Sequence, residues 1–366
     1  MTPGPAPTVL TLDAGGTTLT FQALRGGQVL GEAFTIPSRC EDLEIFLEDV
    51  TTGFSRLRED AHGCDAISFG FPGPADYPAG IIGDLWNMPA FRGGVPLGPI
   101  LHDHFGVPVH INNDADLFTL GEAVHGLLPE VNAHLESAGN PKRYRHLLGL
   151  TFGTGFGGGI VVDGRPLLGD NSGGAEIWLM RHKRIPECYA EEGISIRAVR
   201  RVYAECAGIP FDESPEPRLI AAIAHGRLRG HREAALEAWK SLGEVAGEAI
   251  ACALTLVDGL VVIGGGLSAA SDLFMPTLMG VLNGTIRKQD GRELPRLVQR
   301  VYDLDRPLER EAFLQGSPQS IPVPGRTVPL VWDATKRSGV GRTRLGTSRA
   351  TALGAYEFAL WKAGGR

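Results

Sequence analysis

The sequence predicts an α/β protein of two domains. Three observations carry this expectation. Apolar, strand-like runs alternate with segments of helical spacing. Three of those strands break into polar glycine turns, at residues 13–18, 153–159 and 264–266. The 366 residues suffice for two cores. The first two turns share one design, strand, glycine turn, strand, which hints at two related halves.

Taken in order, residues 8–12 read as a strand, DAGGTT (13–18) as a turn, and residues 19–24 as the returning strand. After Gly26-Gly27, residues 28–34 extend the same meander. Residues 41–57 have helical spacing through Leu43, Phe46, Leu47, Val50, Phe54 and Leu57. Residues 65–71 form a short strand that runs into Pro72-Gly73-Pro74, a loop. Residues 107–111 form another strand, ending at Asn112-Asn113-Asp114-Ala115-Asp116 before a helix through Leu117, Leu120 and Ala123. Residues 147–152 are a buried strand, 160–162 the strand after the second glycine turn, and Asp163-Gly164 a tight turn. A long helix with a small, apolar face spans 236–257. VVIGGG (261–266) is a buried strand, and a helix resumes from Ser268. The proline- and charge-rich residues 287–335 contain strand segments, and 348–361 form a closing helix.

The second glycine turn, GTGFGGG, has five glycines in seven positions. Without side chains in the way, successive backbone amides can close on an anion. GTGFGG also fits the G-x-G-x-x-G dinucleotide pattern, but that pattern needs a helix directly after the glycines. Here β-patterned residues follow. No G-K-[ST] ending of a phosphate-binding P-loop is present. Asp13, beside Gly15, Gly16 and Thr17, suits a magnesium ion that also takes phosphates and water. Asp114, at a strand end, could accept a proton from a substrate hydroxyl. Each aspartate could equally be a cap or turn residue.

With these residues in hand, the chain resembles the ROK family of sugar kinases. LTLDAGGTT is similar to the family's first phosphate motif, GFPGP (70–74) and WNMP (86–89) to its sugar-side loops, and INNDADLFTLGEA to its catalytic segment. TFGTGFGGGIVVDG resembles the second phosphate motif and VVIGGGLS the adenosine motif. The resemblance implies a two-domain actin-like ATPase (ribonuclease H-like) fold with an inter-domain cleft, whose closure would exclude water. The small domain would take residues 1–116 with about 348–366, and the large one 117–347, extended at about 287–347. It implies ATP-dependent phosphorylation of a sugar hydroxyl, of a hexose or hexosamine, with glucose as the default. Asp114 would be the general base. Asn87, Asn113, Asp114, Glu176 and Glu191 or Glu192 would bind sugar. Gly15, Gly16, Thr17, Thr154, Gly155 and Gly265 would line the nucleotide site, with Asp13 near Mg2+, through water. A cytoplasmic homodimer is the family-level expectation.

The sequence also departs from the family pattern. Trp178 and Leu179 stand where Gly and the sugar-contacting His would be, and Cys188 is a single thiol where the family has a cysteine-rich zinc motif. No structural zinc is therefore expected. His182, among Arg181, Lys183 and Arg184, reads as a surface residue. The basic run KRSGVGRTRLGTSR (336–349) reads as a solvated surface loop.

Composition narrows the alternatives. A net charge of −7 argues against nucleic acid as a partner, and five scattered cysteines against a disulfide framework or a zinc ribbon. The first residues lack a signal-peptide pattern, and no stretch reads as a membrane span. A catalytically weak sugar- or nucleotide-binding protein on the same fold is the main alternative. A DNA-binding repressor is disfavoured because only seven residues precede the first strand, and an NAD-dependent enzyme because the required helix is missing.

Overall fold

The computed structural model describes residues 6–14, 18–73, 75–83 and 89–364. The chain divides into two compact units. One comprises Met1–Gly126, Gly159–Ala175 and Leu345–Arg366, the other Leu127–Gly158 and Glu176–Arg344.

The first unit is built on β1 (Thr8–Ala14), β2 (Thr18–Arg25), β3 (Gln28–Pro37), β4 (Ala66–Gly70) and β5 (Val109–Asn112), in the spatial order β3-β2-β1-β4-β5. The first three form an antiparallel meander, and β4 and β5 run parallel to β1. Because successive side chains point to opposite faces, β1 serves two cores. Leu10 and Leu12 join the cluster of helix α1 (Leu43–Asp60), while Val9 packs with Tyr356 and Ala359 of the closing helix, Thr347–Ala363. Helix α1 begins two residues later than its periodicity suggests because the Asp42 carboxylate accepts the Ile45 N–H at 3.2 Å and caps it. Phe46 of α1 meets Phe91 edge-on at 5.3 Å, and Phe54 meets Phe105 of α2 (Leu97–Phe105) at 6.1 Å. Helix α3 (Asp114–His125) lies against the closing helix at glycines. A Cβ on Gly354 would stand 1.7 Å from the Leu117 carbonyl oxygen, and one on Gly121 1.9 Å from that of Ala350.

In the second unit, β6 (His146–Phe152) leads through the glycine turn into β7 (Phe156–Val162). With the parallel strands β8 (Leu260–Gly264), β9 (Arg300–Asp303) and β10 (Arg337–Arg342), and the short edge strand Arg165–Pro166 antiparallel to β7, the order is Arg165–Pro166, β7, β6, β8, β10, β9. The helices are α4 (Leu127–Ser137), α5 (Ile196–Ala207), α6 (Pro217–Ala224), α7 (Arg232–Val257), α8 (Ser271–Leu282) and α9 (Pro307–Gln315). The small residues of α7 allow close approach to α8, where a Cβ on Gly243 would stand 2.5 Å from the Phe274 carbonyl oxygen.

Two expectations need correction here. The helix after VVIGGG starts at Ser271, not Ser268, because Gly266–Ala270 winds as a tighter 3-10 turn. Ser268 Oγ donates to the Gly265 carbonyl at 2.7 Å and holds that turn. The basic run is no surface loop at its centre, since Arg337–Arg342 forms the strand between β8 and β9. Its arginines are matched by acids, one of them four residues away and the others distant in sequence. Buried Arg337 pairs with Asp333 and lies over the Phe313 ring, while Arg344 reaches Glu130 at 2.9 Å and Asp305 at 2.7 Å.

Candidate active site

In the first unit, register assembles the acidic residues. Asp13 is paired with Gly70, and Gly70 with Asn112, so the ends of β1, β4 and β5 lie level. Asn113 then caps α3, its Oδ1 accepting the Ala115 N–H at 2.8 Å, and Asp114 Oδ1 accepts the same N–H at 2.8 Å. Asp114 is exposed in the first turn of α3. Gly70 makes room for it: a Cβ there would stand 3.1 Å from Asp114 Cα and 3.2 Å from its Cβ. Asp13 and Asp114 therefore sit at the carboxyl edge of parallel strands, where α/β sheets keep their ligands. Gly15, Gly16, Thr17 and Asn87 lie outside the described residues.

In the second unit, Thr154 is the exposed tip of the turn between β6 and β7, closed by Gly153 N–H on the Gly155 carbonyl at 3.0 Å. Gly265, with φ of 82°, lies against the same turn. A Cβ there would stand 2.2 Å from the Phe152 carbonyl oxygen. Thr154, Gly155 and Gly265 are thus brought together at the ends of β6 and β8. Glu191 closes on them from a further segment. Its Oε2 accepts the Phe156 N–H at 3.0 Å and would be 2.6 Å from a Cβ on Gly155. Ile196 N–H also donates to the Gly153 carbonyl at 2.8 Å.

The neighbouring Glu192 shares Arg197 with Glu191, whose Oε1 lies 3.9 Å from that guanidinium. The Glu192 carboxylate takes Arg197 and Arg201, each at 2.5 Å, and the Tyr189 hydroxyl at 3.3 Å. Burial alone would raise the Glu192 carboxyl, but the hydrogen bonds from Arg201 and Arg197 outweigh it and hold the group below the usual carboxylate range. Glu176 accepts the indole N–H of Trp178, whose ring meets Tyr189 edge-on at 5.6 Å.

His182, expected on the surface, is buried at 4% exposure. Its Nδ1 accepts the N–H groups of both Arg184 and Ile185 at 3.1 Å, while the His182 N–H donates to the Cys188 carbonyl at 2.9 Å. The basic neighbours face out, and the imidazole organises the loop from inside. Burial first, then Arg201 and Arg184, push its pKa below the ordinary histidine value. Cys188 is a free thiol.

A family model described as the ROK family matches residues 9–309. The chain belongs to the ROK family. Its α/β units are those of the two-domain actin-like ATPase fold that this family has. Among similar structures is a glucokinase from Parabacteroides distasonis, 47% identical, covering 98% of each chain with a TM-score of 0.88. The N-acetyl-D-glucosamine kinase of Escherichia coli O157:H7 is 27% identical over 281 residues, 70% of this chain and 83% of that one. That of Vibrio atlanticus is 31% identical over 170 residues, 46% of this chain and 51% of the relative. The chain thus spans about half the length of the Vibrio kinases it matches.

Ser195 went unnoticed in the sequence. Its Oγ donates to the Glu191 carbonyl at 2.9 Å and caps α5 through Ala198 N–H at 3.2 Å, fixing Glu191 beside the glycine turn. A serine immediately before the amphipathic stretch of α5 was the available signal. Among the described residues, no group of three or more His, Cys, Asp or Glu side chains could hold a metal ion, and no helix is long and apolar enough to cross a membrane.

Proposed function

We propose that this ROK-family chain is an ATP-dependent sugar kinase that phosphorylates a hydroxyl of a hexose or hexosamine, with Asp114 as general base. The observation that carries the reading is the level alignment of Asp13 and Asp114 at the carboxyl ends of β1 and β5. The names of the relatives make glucose and N-acetylglucosamine the first acceptors to test.

Asp114, anchored by one oxygen to the first turn of α3, would take the hydroxyl proton as the hydroxyl attacks the γ-phosphorus. The amide of Asn113, its oxygen spent on the cap, would donate to a sugar hydroxyl, and Glu176 and Asn87 would accept others. Of the two adjacent glutamates, Glu191 is the better sugar ligand because Glu192 is already neutralised by two arginines. Thr154, Gly155 and Gly265 would line the nucleotide, with Gly15, Gly16 and Thr17. One carboxylate at a strand end fits magnesium arriving on ATP, and Asp13 would hold that ion through water. When bound, the ion would offset charge on the transferred phosphate. A homodimer without structural zinc completes the reading.

The test is ADP release from magnesium-ATP across hexoses, hexosamines and N-acetylated sugars, with Asp114→Asn alongside. We expect sugar-dependent turnover that falls by about 100-fold or more in the variant. A variant as active as the parent would remove Asp114 from the role. No turnover with any sugar, despite ATP binding, would favour a binding protein.

A further inference from the structure

A carboxylate that recognises a sugar must be held still, since free rotation about its last torsion would cost the contact its direction. Glu176 is held by an uncommon partner. Its Oε2 accepts the indole N–H of Trp178, the residue standing where the family pattern has glycine, next to Leu179 in place of the histidine. Leu179 is exposed and has no hydrogen to donate, so it cannot do a histidine's work.

The Trp178 ring is itself supported. Tyr189 meets it edge-on, with the ring planes 86° apart, and the Tyr189 hydroxyl donates to Glu192 at 3.3 Å. Glu192 in turn is gripped by Arg197 and Arg201. Six side chains thus run from the two arginines of α5 to Glu176. The adjacent Glu191 carries the contact to Gly155 and Phe156. One short segment therefore fixes both a sugar-side carboxylate and the glycine turn.

We propose that Trp178 is a positioning residue for acceptor recognition: its indole N–H fixes the Glu176 carboxylate so that the remaining oxygen receives a hydroxyl of the hexose or hexosamine. This rests on the reading of Glu176 as a sugar ligand. An indole N–H only donates and does not titrate, whereas a histidine there would change its donor count near neutral pH. The substitution makes the orientation of Glu176 independent of pH across that range.

The experiment measures sugar binding by calorimetry without nucleotide, on the full chain and on Trp178→Phe and Trp178→His. Glucose and N-acetylglucosamine are the probes, and steady-state kinetics run in parallel. Trp178→Phe keeps a ring and loses the N–H. It should weaken sugar binding and raise the sugar KM about tenfold, with the KM for ATP unchanged. Trp178→His should recover affinity but make it vary between pH 6 and 8, where the parent is flat. Parental sugar affinity in Trp178→Phe, or an equal rise in both KM values, would overturn the proposal, as would a parent that binds neither sugar. If the parent shows no sugar-dependent ADP release while the binding difference persists, the kinase reading fails and the role of Trp178 stands.

Discussion

A single methyl group tests how closely the proposed base is seated. At Gly70 it would press on Asp114 at 3.1 Å and 3.2 Å, so Gly70→Ala should shift the start of α3 by a few tenths of an ångström. We expect kcat to fall about tenfold with little change in thermal midpoint, because small misplacements of a reacting group are costly in rate. Unchanged kcat would mean that the helix start yields without consequence. His182 supplies a pH test. Its folded-state pKa lies below its unfolded value of 6.5, so between the two the unfolded state binds more protons. The stability it contributes is complete above pH 6.5 and is lost as pH falls through the folded value. Hydrogen-exchange protection of the Arg184 and Ile185 amides, corrected for intrinsic rates, should drop on acidification, and the step should vanish in His182→Ala. A step surviving in that variant would assign it to another group. The placement of Asp114 at a helix start after a strand end could be read in advance, because a strand followed by Asn-Asp and a helix is a local pattern. The burial of His182 could not, because its charged neighbours argue for solvent, whereas the later chain at Cys188 and Gly193 closes on it.

At the scale of elements, β10 shows where charge patterning misleads. Arg337 is fully enclosed in a strand flanked on both sides, and local sequence gives no sign that its partner Asp333 and the Phe313 ring complete the site. Burial alone would raise the Asp333 carboxyl, but the Arg337 hydrogen bond and the backbone N–H groups of Thr335 and Ser317 hold it below the usual range. Removing one member of such a pair leaves an uncompensated buried charge. Asp333→Ala should destabilise the second unit by about 3 kcal/mol at pH 7 in urea unfolding. The penalty should shrink as pH falls through the depressed Asp333 value, where the parent's carboxylate is itself neutralised. An equal penalty at pH 7 and at low pH would show that the loss is one of packing. The second glycine turn was readable only in part: the strand resumes at Phe156, so the turn is residues 153–155, and Gly157, Gly158 and Gly159 lie in β7 rather than in the loop expected to run to 159. What composition could not supply was the reach of Glu191 into the second turn, a contact between segments 35 residues apart.

Across the whole molecule, the first unit is assembled from three separate stretches of chain, and its last stretch is structural. The closing helix buries Leu353, Tyr356 and Phe358 among the interior residues of that unit, and the Tyr356 hydroxyl accepts the Gly26 N–H at 2.9 Å. Leu345 N–H, just ahead of the helix, donates to Glu122 at 3.0 Å, and the backbone of Gly354 packs on Leu117 of α3. Burying three such side chains is worth about 5–9 kcal/mol, which is comparable with the whole stability of a domain. A chain ending at Arg344 should therefore lose the fold of residues 8–126 while the second unit, which has its own strands and helices through β10, keeps its core. Limited proteolysis would read this directly, as rapid cleavage within residues 8–126 beside a protected fragment drawn from 127–344. Separate peptide 345–366, added in excess, should slow that cleavage. Protection of residues 8–126 in the shortened chain would mean that the meander and α1 form a stable core alone, and that the closing helix serves only to hold the start of α3 and, with it, Asp114.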